Sequence, residues 1–202
     1  MTSPIQSLCV YCGASSGSSA SYVDAARLMG KALVEHDIAL VYGGGKIGLM
    51  GAVADEVVRL GGSATGVIPQ ALLGKEVGHP GLTKLHVVKD MHERKAMMAE
   101  LSDGFIAMPG GMGTMEELFE MLTWSQLGFH DKPIGLLNVL GFYDGLIGFV
   151  DHMVTQGFLR PHHRQLLMQD TSAPSLIGQL IDYQPGQIAK LLNDKSARTL
   201  LP

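Results

Sequence analysis

The sequence predicts an α/β fold: a single-domain, doubly wound, Rossmann-like parallel sheet with helices on both faces. Three observations carry this reading. Short apolar runs of strand length alternate with segments of helical periodicity from Leu8 to Ile181, and right-handed crossovers turn such an alternation into a parallel sheet. Three of the predicted strands end in glycine- or serine-rich turns, Gly13 to Ser19, Gly43 to Gly45 and Pro109 to Thr114. Finally, 202 residues with 46% hydrophobic and 17% charged side chains suit one well-buried domain and are too few for two comfortable ones.

The first unit is a strand at Leu8 to Cys12, the turn to Ser19, and a helix to about Glu35 that Ser18 or Ser19 caps. The second is Ile38 to Tyr42, the turn Gly43-Gly44-Gly45, and a helix from about Ile47 to Leu60, closed by Gly61-Gly62. A third strand, Ala64 to Ile68, ends at Pro69, and Gln70 to Leu82 reads as a loop. Leu85 to Val88 is a strand, followed by a helix from about Met91 to Leu101. The apolar run Phe105 to Met108 is a buried strand that Pro109 ends. After the glycines, Thr114 opens a helical pattern through Leu118, Met121 and Leu122 that stops near Leu127-Gly128. Pro133 to Val139 is a strand, Phe142 to Gln156 a helix, Gln165 to Gln169 a short strand and Ser175 to Ile181 a last helix. These elements make one domain over 1–184. The more polar stretch 185–202 reads as a C-terminal appendage, a short helix from Gln187 and a loose tail.

Net charge is −4 and no basic run occurs, which argues against a general nucleic-acid binder. The N-terminus lacks a basic region followed by an apolar core, and no apolar stretch approaches a membrane span. A cytoplasmic protein without a membrane partner is expected. Cys9 and Cys12 spell C-x-x-C, but side chains three apart on a strand point to opposite faces. They are expected to be buried small residues, because redox pairs of this spacing sit at a helix N-terminus. The eight histidines are scattered, and His162-His163 has no third ligand, so no metal is expected. Met91, Met97, Met98, Met108, Met112, Met115 and Met121 cluster as adaptable packing, with a few available to line an apolar pocket for a base.

Chemistry concentrates between Gly104 and Leu118. A strand that runs through a glycine turn into a helix leaves unpaired N–H groups and positive dipole charge aimed at one point, which suits phosphate. Three such turns on the carboxyl edge favour a shared phosphate-containing ligand and place Gly13, Ser15, Gly44, Gly45 and Gly110 around it. Gly43-x-Gly45-x-x-Gly48 matches the dinucleotide fingerprint. However, Val67-Ile68-Pro69-Gln70 offers no carboxylate for a ribose, so NAD is not expected. The sequence also lacks G-x-x-x-x-G-K-[ST]. Glu116 and Glu117 lie in the first turn of the Thr114 helix, beside the expected phosphate. Thr114-x-x-Glu117 also spells a capping box, so geometry alone leaves Glu117 as cap or catalyst. The helix N-terminus favours an ionised carboxylate, suited to a base, nucleophile or cation stabiliser rather than an acid. Met91-His92-Glu93-Arg94-Lys95 opens another helix on the same edge, and Ala96 excludes the zinc-protease pattern. Arg94 and Lys95 read either as a solvated face or as contacts to phosphate or leaving group.

Pro109-Gly-Gly-x-Gly-Thr-x-x-Glu117 with Met91-His-Glu-Arg-Lys95 upstream resembles the LONELY GUY (LOG) family of cytokinin riboside 5′-monophosphate phosphoribohydrolases, formerly mislabelled lysine decarboxylases. The resemblance runs from about Leu8 to Tyr183 and includes Cys12-Gly-Ala-Ser-Ser, Val41-Tyr-Gly-Gly-Gly, Ile47-Gly-Leu-Met-Gly, Thr123-Trp-Ser-Gln-Leu-Gly, His130-Asp-Lys-Pro and Gly141-Phe-Tyr-Asp. It implies hydrolysis of the N-glycosidic bond of N6-substituted adenosine 5′-monophosphates, and of AMP, without a cofactor. Arg94 and Glu117 would be the catalytic pair. Glu76, Lys95, Gly111, Met112, Gly113, Thr114 and Thr123 would contact substrate, with Met91, Met115 and Glu116 beside them. A homodimer with the site near its interface is also implied. Three alternatives stand beside this: a non-catalytic binding module like the molybdenum cofactor carriers, an amino-acid decarboxylase, and a plain AMP nucleosidase.

Overall fold

The computed structural model describes residues 5–73 and 79–184. Seven strands form one sheet: β1 (Ser7–Tyr11), β2 (Ala39–Tyr42), β3 (Ala64–Pro69), β4 (Lys84–Val88), β5 (Gly104–Ala107), β6 (Ile134–Leu137) and β7 (Leu167–Asp170). They pair in the order β4-β3-β2-β1-β5-β6-β7, and every pairing is parallel. The predicted α/β architecture is thus observed. The chain builds outward from β1 to β4, then returns to lay β5 on the other side of β1, with Tyr11 opposite Ala107. Strand order therefore reverses between β1 and β5, the switch point at which such sheets bind ligands.

The residues explain the layering. β5 and β6 are buried at every position, as central parallel strands covered on both faces must be, whereas the edge strand β4 is mostly accessible. Helices α1 (Ala20–Glu35), α2 (Gly48–Arg59) and α7 (Ala173–Ile181) pack with Leu8, Val10 and Cys12 on one face. Helices α3 (Met91–Glu100) and α4 (Met112–Gln126) pack with Cys9, Tyr11 and Phe105 on the other. Leu118 and Met121 bury the α4 stripe against the sheet. Truncating either to alanine costs about 2–5 kcal/mol, so α4 is held firmly where its N-terminus meets the switch point. Helices α5 (Asp144–Thr155) and α6 (Pro161–Arg164) complete the described chain, in which no helix is long and apolar enough to cross a membrane.

Several expectations hold in detail. Ser19 caps α1 by accepting from the Ser21 N–H at 3.3 Å. Gly62 closes α2 by donating to the Val57 carbonyl at 2.8 Å. Cys9 and Cys12 are free and buried, one in each core layer, and burial pushes both thiols far above their ordinary range.

Others are corrected. Helix α4 starts at Met112 with Gly111 as its N-cap, so Thr114 is the third helical residue and opens nothing. The Thr114–Glu117 capping box is therefore absent, because the two glycines let the chain turn into the helix before any polar side chain is reached. The strand expected over Pro133 to Val139 stops at Leu137, since Val139–Gly141 folds into a 3-10 turn with Leu140 at φ 54°. Pro161 nucleates α6, unforeseen in the sequence, and delays β7 to Leu167. The expected 185–202 appendage lies outside the described residues.

Candidate active site

Three strand ends meet at the switch point. The Gly13 N–H donates to the Pro109 carbonyl at 3.0 Å, joining the turn after β1 to the turn after β5. The Gly13 carbonyl accepts from Leu49 and Met50 at 3.0 and 3.3 Å, so the first free N–H groups of α2 are already occupied by the chain itself. Helix α3 is occupied likewise: Asp90 accepts from His92 and Glu93, both at 3.0 Å, and Glu93 reaches back to the Lys89 N–H at 2.8 Å. The Glu93 and His92 bonds hold the Asp90 carboxyl below its usual range. Helix α4 differs, because its N-cap Gly111 has no side chain to offer. Its leading N–H groups and dipole face a cavity of about 240 Å³.

That cavity is lined by residues from all three strand ends, among them Gly13, Met91, Arg94, Gly111, Gly113, Thr114, Glu116 and Glu117. A Cβ at Gly111 or Gly113 would meet nothing within 4 Å, so the chain's own packing leaves both positions free for a larger residue. Their bareness leaves room for something outside the chain to approach the backbone.

Arg94 and Glu117 come from different helices and are only 6% and 8% exposed, yet both line this cavity. Arg94 lies in the second turn of α3 and crosses to the end of β2, where Nη2 donates to the Gly43 carbonyl at 3.2 Å and Nη1 lies 3.7 Å from Met91 Sδ. Its buried Nε has no hydrogen-bond partner among the described residues. Lys95, the next residue, points elsewhere. Its ammonium pairs with Glu116 and, at 3.1 Å, with Glu120. Burial works against its charge, but the two carboxylates outweigh this and raise its pKa. Lys95 therefore meets the cavity only through Glu116.

The other predicted residues are placed less directly. Ser15 accepts from the Gly17 N–H at 3.3 Å, and Gly44 accepts from the His79 N–H at 3.2 Å while packing on Val67, Ile68 and Leu85. Gly45 is buried, Gly110 abuts Thr114, Met115 packs partly into the core and Met112 is 87% exposed. Thr123 lies nine residues beyond Thr114 on α4, exposed, with its hydroxyl on the Phe119 carbonyl at 2.7 Å. None of these lines the cavity, and Glu76 lies outside the described residues. Conversely, Tyr11, Cys12, Gly43 and Met50 line it beyond the predicted site residues, and Met98, one of the clustered methionines expected as packing or as the wall of a base pocket, lines it too. Met98 was findable, being one helical turn beyond Arg94. Among the described residues no group of three or more His, Cys, Asp or Glu is placed to hold an ion.

Comparison with known proteins finds relatives of the chain and structural neighbours. The family model described as "Possible lysine decarboxylase" matches residues 50–180. The chain is 53% identical over 178 residues to a probable cytokinin riboside 5′-monophosphate phosphoribohydrolase of Oryza sativa subsp. japonica, covering 88% of this chain and 78% of that protein. A cytokinin riboside 5′-monophosphate phosphoribohydrolase of Arabidopsis thaliana is 49% identical over 183 residues, covering 91% and 86%. Among solved structures, a molybdenum cofactor carrier protein of Chlamydomonas reinhardtii superposes with a TM-score of 0.65 at 18% identity, covering 88% of this chain and 98% of that one. The molybdenum cofactor binding protein of Rippkaea orientalis gives 0.63 at 17%, covering 88% and 95%. At that identity the likeness is one of fold alone, whereas the phosphoribohydrolase relatives share about half of their residues with this chain over most of its length. The chain belongs to the LONELY GUY family of phosphoribohydrolases.

Proposed function

We propose that the protein hydrolyses the N-glycosidic bond of cytokinin riboside 5′-monophosphates, and of AMP, releasing the free base and ribose 5-phosphate. The observation that carries this reading is the convergence of buried Arg94 and Glu117 on one cavity at the N-terminus of α4, whose N-cap Gly111 has no side chain. The relatives' activity supports it.

In this proposal the phosphate rests on the α4 N–H groups, with bare Gly111 and Gly113 allowing close approach. The phosphate does not react. Its binding energy positions the ribose. Water adds to C1′ as the bond from C1′ to the purine nitrogen breaks; the electron pair leaves with the base, which takes up the proton that the water gives up. Positive charge builds on the ribose in the transition state, and the Glu117 carboxylate is placed to meet it. Arg94 supplies the opposite charge for the departing purine, Met91, Met98 and Met50 the apolar wall for the base. Glu116, steadied by Lys95, offers a carboxylate to ribose hydroxyls. By the family resemblance Glu76 and Thr123 are further substrate contacts, and the protein acts as a homodimer. Exposed Phe149 and Phe158 support burial of an apolar surface of this chain against a partner. The setting proposed is cytoplasmic.

Incubation of the purified protein with AMP and, separately, with isopentenyladenosine monophosphate tests the proposal. Free base and ribose 5-phosphate are the expected products, with the prenylated substrate preferred. A folded protein that releases base from neither would overturn it, and light scattering of the same sample reads the dimer.

A further inference from the structure

Gly43 is a residue whose side-chain hydrogen is its function. It follows β2 and opens the run Gly43-Gly44-Gly45, which as a sequence motif reads as a phosphate turn. The structure uses it otherwise. Its carbonyl accepts from Arg94 Nη2 at 3.2 Å, a contact between residues 51 apart in the chain. A Cβ built at Gly43 would lie 1.9 Å from Nη2, 3.1 Å from Cζ and 3.1 Å from Met50 Sδ. The guanidinium therefore occupies the space in which every other amino acid would carry its first side-chain carbon.

Backbone conformation does not require glycine here. Gly44, the next residue, has φ +77°, but Gly43 is not among the positive-φ glycines. Alanine fits the backbone, keeps the carbonyl acceptor and clashes with the ends of two flexible side chains. Arg94 has space to retreat into, because it borders the 240 Å³ cavity.

We infer that Gly43 is a positioning residue for the reaction: the missing Cβ is the socket that holds the Arg94 guanidinium in its working position. This rests on Arg94 being catalytic. The corresponding prediction is specific. Gly43→Ala folds with a melting temperature within a few degrees of the parent, while kcat/KM falls by about 10²-fold, the usual consequence of misplacing a catalytic group by about 1 Å.

A double-mutant cycle on kcat/KM is the test, using Gly43→Ala, Arg94→Ala and the pair, with thermal unfolding of each. If Gly43 acts through Arg94, Gly43→Ala costs less than about 2-fold once Arg94 is already alanine. Equal losses in both backgrounds would assign Gly43 a role of its own and overturn the inference. So would a fully active Gly43→Ala beside an inactive Arg94→Ala, which leaves the proposed function standing. A Gly43→Ala protein that fails to fold overturns it too, because the inference requires the guanidinium to yield and the backbone to hold. Full activity of Arg94→Ala is a different failure: it removes the catalytic reading itself, and the positioning role with it.

Discussion

The β2–α2 and β5–α4 units begin alike and end differently. Each is a short buried strand, a glycine turn and a helix at the carboxyl edge of the same sheet. In the first, Gly13 supplies its carbonyl to the helix's leading N–H groups, Gly48 packs on the Ala14 backbone, and Gly43 receives an arginine side chain. Although Gly43 borders the cavity, the space a Cβ would take is filled by protein at Gly43, Gly44 and Gly48 alike. In the second, the N-cap is bare Gly111, and both Gly111 and Gly113 face open space beside buried Glu117. A glycine-rich turn before a helix is thus a permission rather than a binding site. What decides is whether the chain itself reaches the N–H groups first.

Four substitutions would break or sharpen this contrast. The largest effect belongs to the open unit: Glu117→Gln should keep the fold and lower kcat by about 10²–10⁴-fold, the range for losing one acid–base or charge-stabilising group. Glutamine keeps the shape and hydrogen-bonding capacity of the side chain without its charge, so near-normal turnover would remove Glu117 from the chemistry. The closed unit should answer in stability instead. Gly48 has φ +63°, and a Cβ there would stand 2.3 Å from the Ala14 carbonyl carbon, so Gly48→Ala should cost about 2–5 kcal/mol in denaturant unfolding. An unchanged unfolding midpoint would show the turn to be more pliable than its packing suggests.

Between the two lies the Lys95 clamp on Glu116 and Glu120, which ties α3 to α4. Lys95→Met should lose about 1–3 kcal/mol at neutral pH. The Lys95 pKa is raised in the folded protein, so the clamp's contribution is complete below the ordinary value of 10.5 and declines as pH rises through the folded value. The melting curves of parent and variant should therefore converge above about pH 10.5, and a constant gap would point to packing of the lysine stem instead. Smallest of all, Gly113→Ala should leave stability within about 0.5 kcal/mol and raise KM several-fold, with kcat nearly unchanged. Equal KM values would mean that no ligand approaches that backbone.

The sequence shows the alternation of strands and helices plainly, because burial on both faces forces continuous apolar runs such as Phe105 to Met108. It also shows which helix starts lie on the carboxyl edge. What it hides are contacts between distant segments. The Gly13 carbonyl on α2 and the Arg94 guanidinium on Gly43 are long-range pairings that no local pattern signals. The Thr114–Glu117 spacing misleads for the converse reason: a local rule was satisfied two residues inside a helix that glycine had already started. Lys95 reads as a solvated helix face or, through the family resemblance, as a substrate contact; its ion pairs with Glu116 and Glu120 are again long-range and leave no local trace. The two residues proposed for catalysis were legible as a pair only through the family resemblance, and the shared cavity supplies the independent geometric reason.

Gly13 spends both of its main-chain polar groups on neighbours, donating to Pro109 and accepting from Leu49 and Met50. The seam between the two halves of the sheet is consequently written in peptide bonds, beyond the reach of side-chain mutagenesis. Truncating the Leu49 or Met50 side chain to alanine would leave these hydrogen bonds in place, whereas replacing the Leu49 amide by an ester, or following deuterium uptake at Gly13 and Leu49, would read them directly. A frame of this kind also separates two evolutionary freedoms. The methionines that line the cavity can be exchanged to retune what it accepts, while the seam that aligns the walls stays indifferent to their identity.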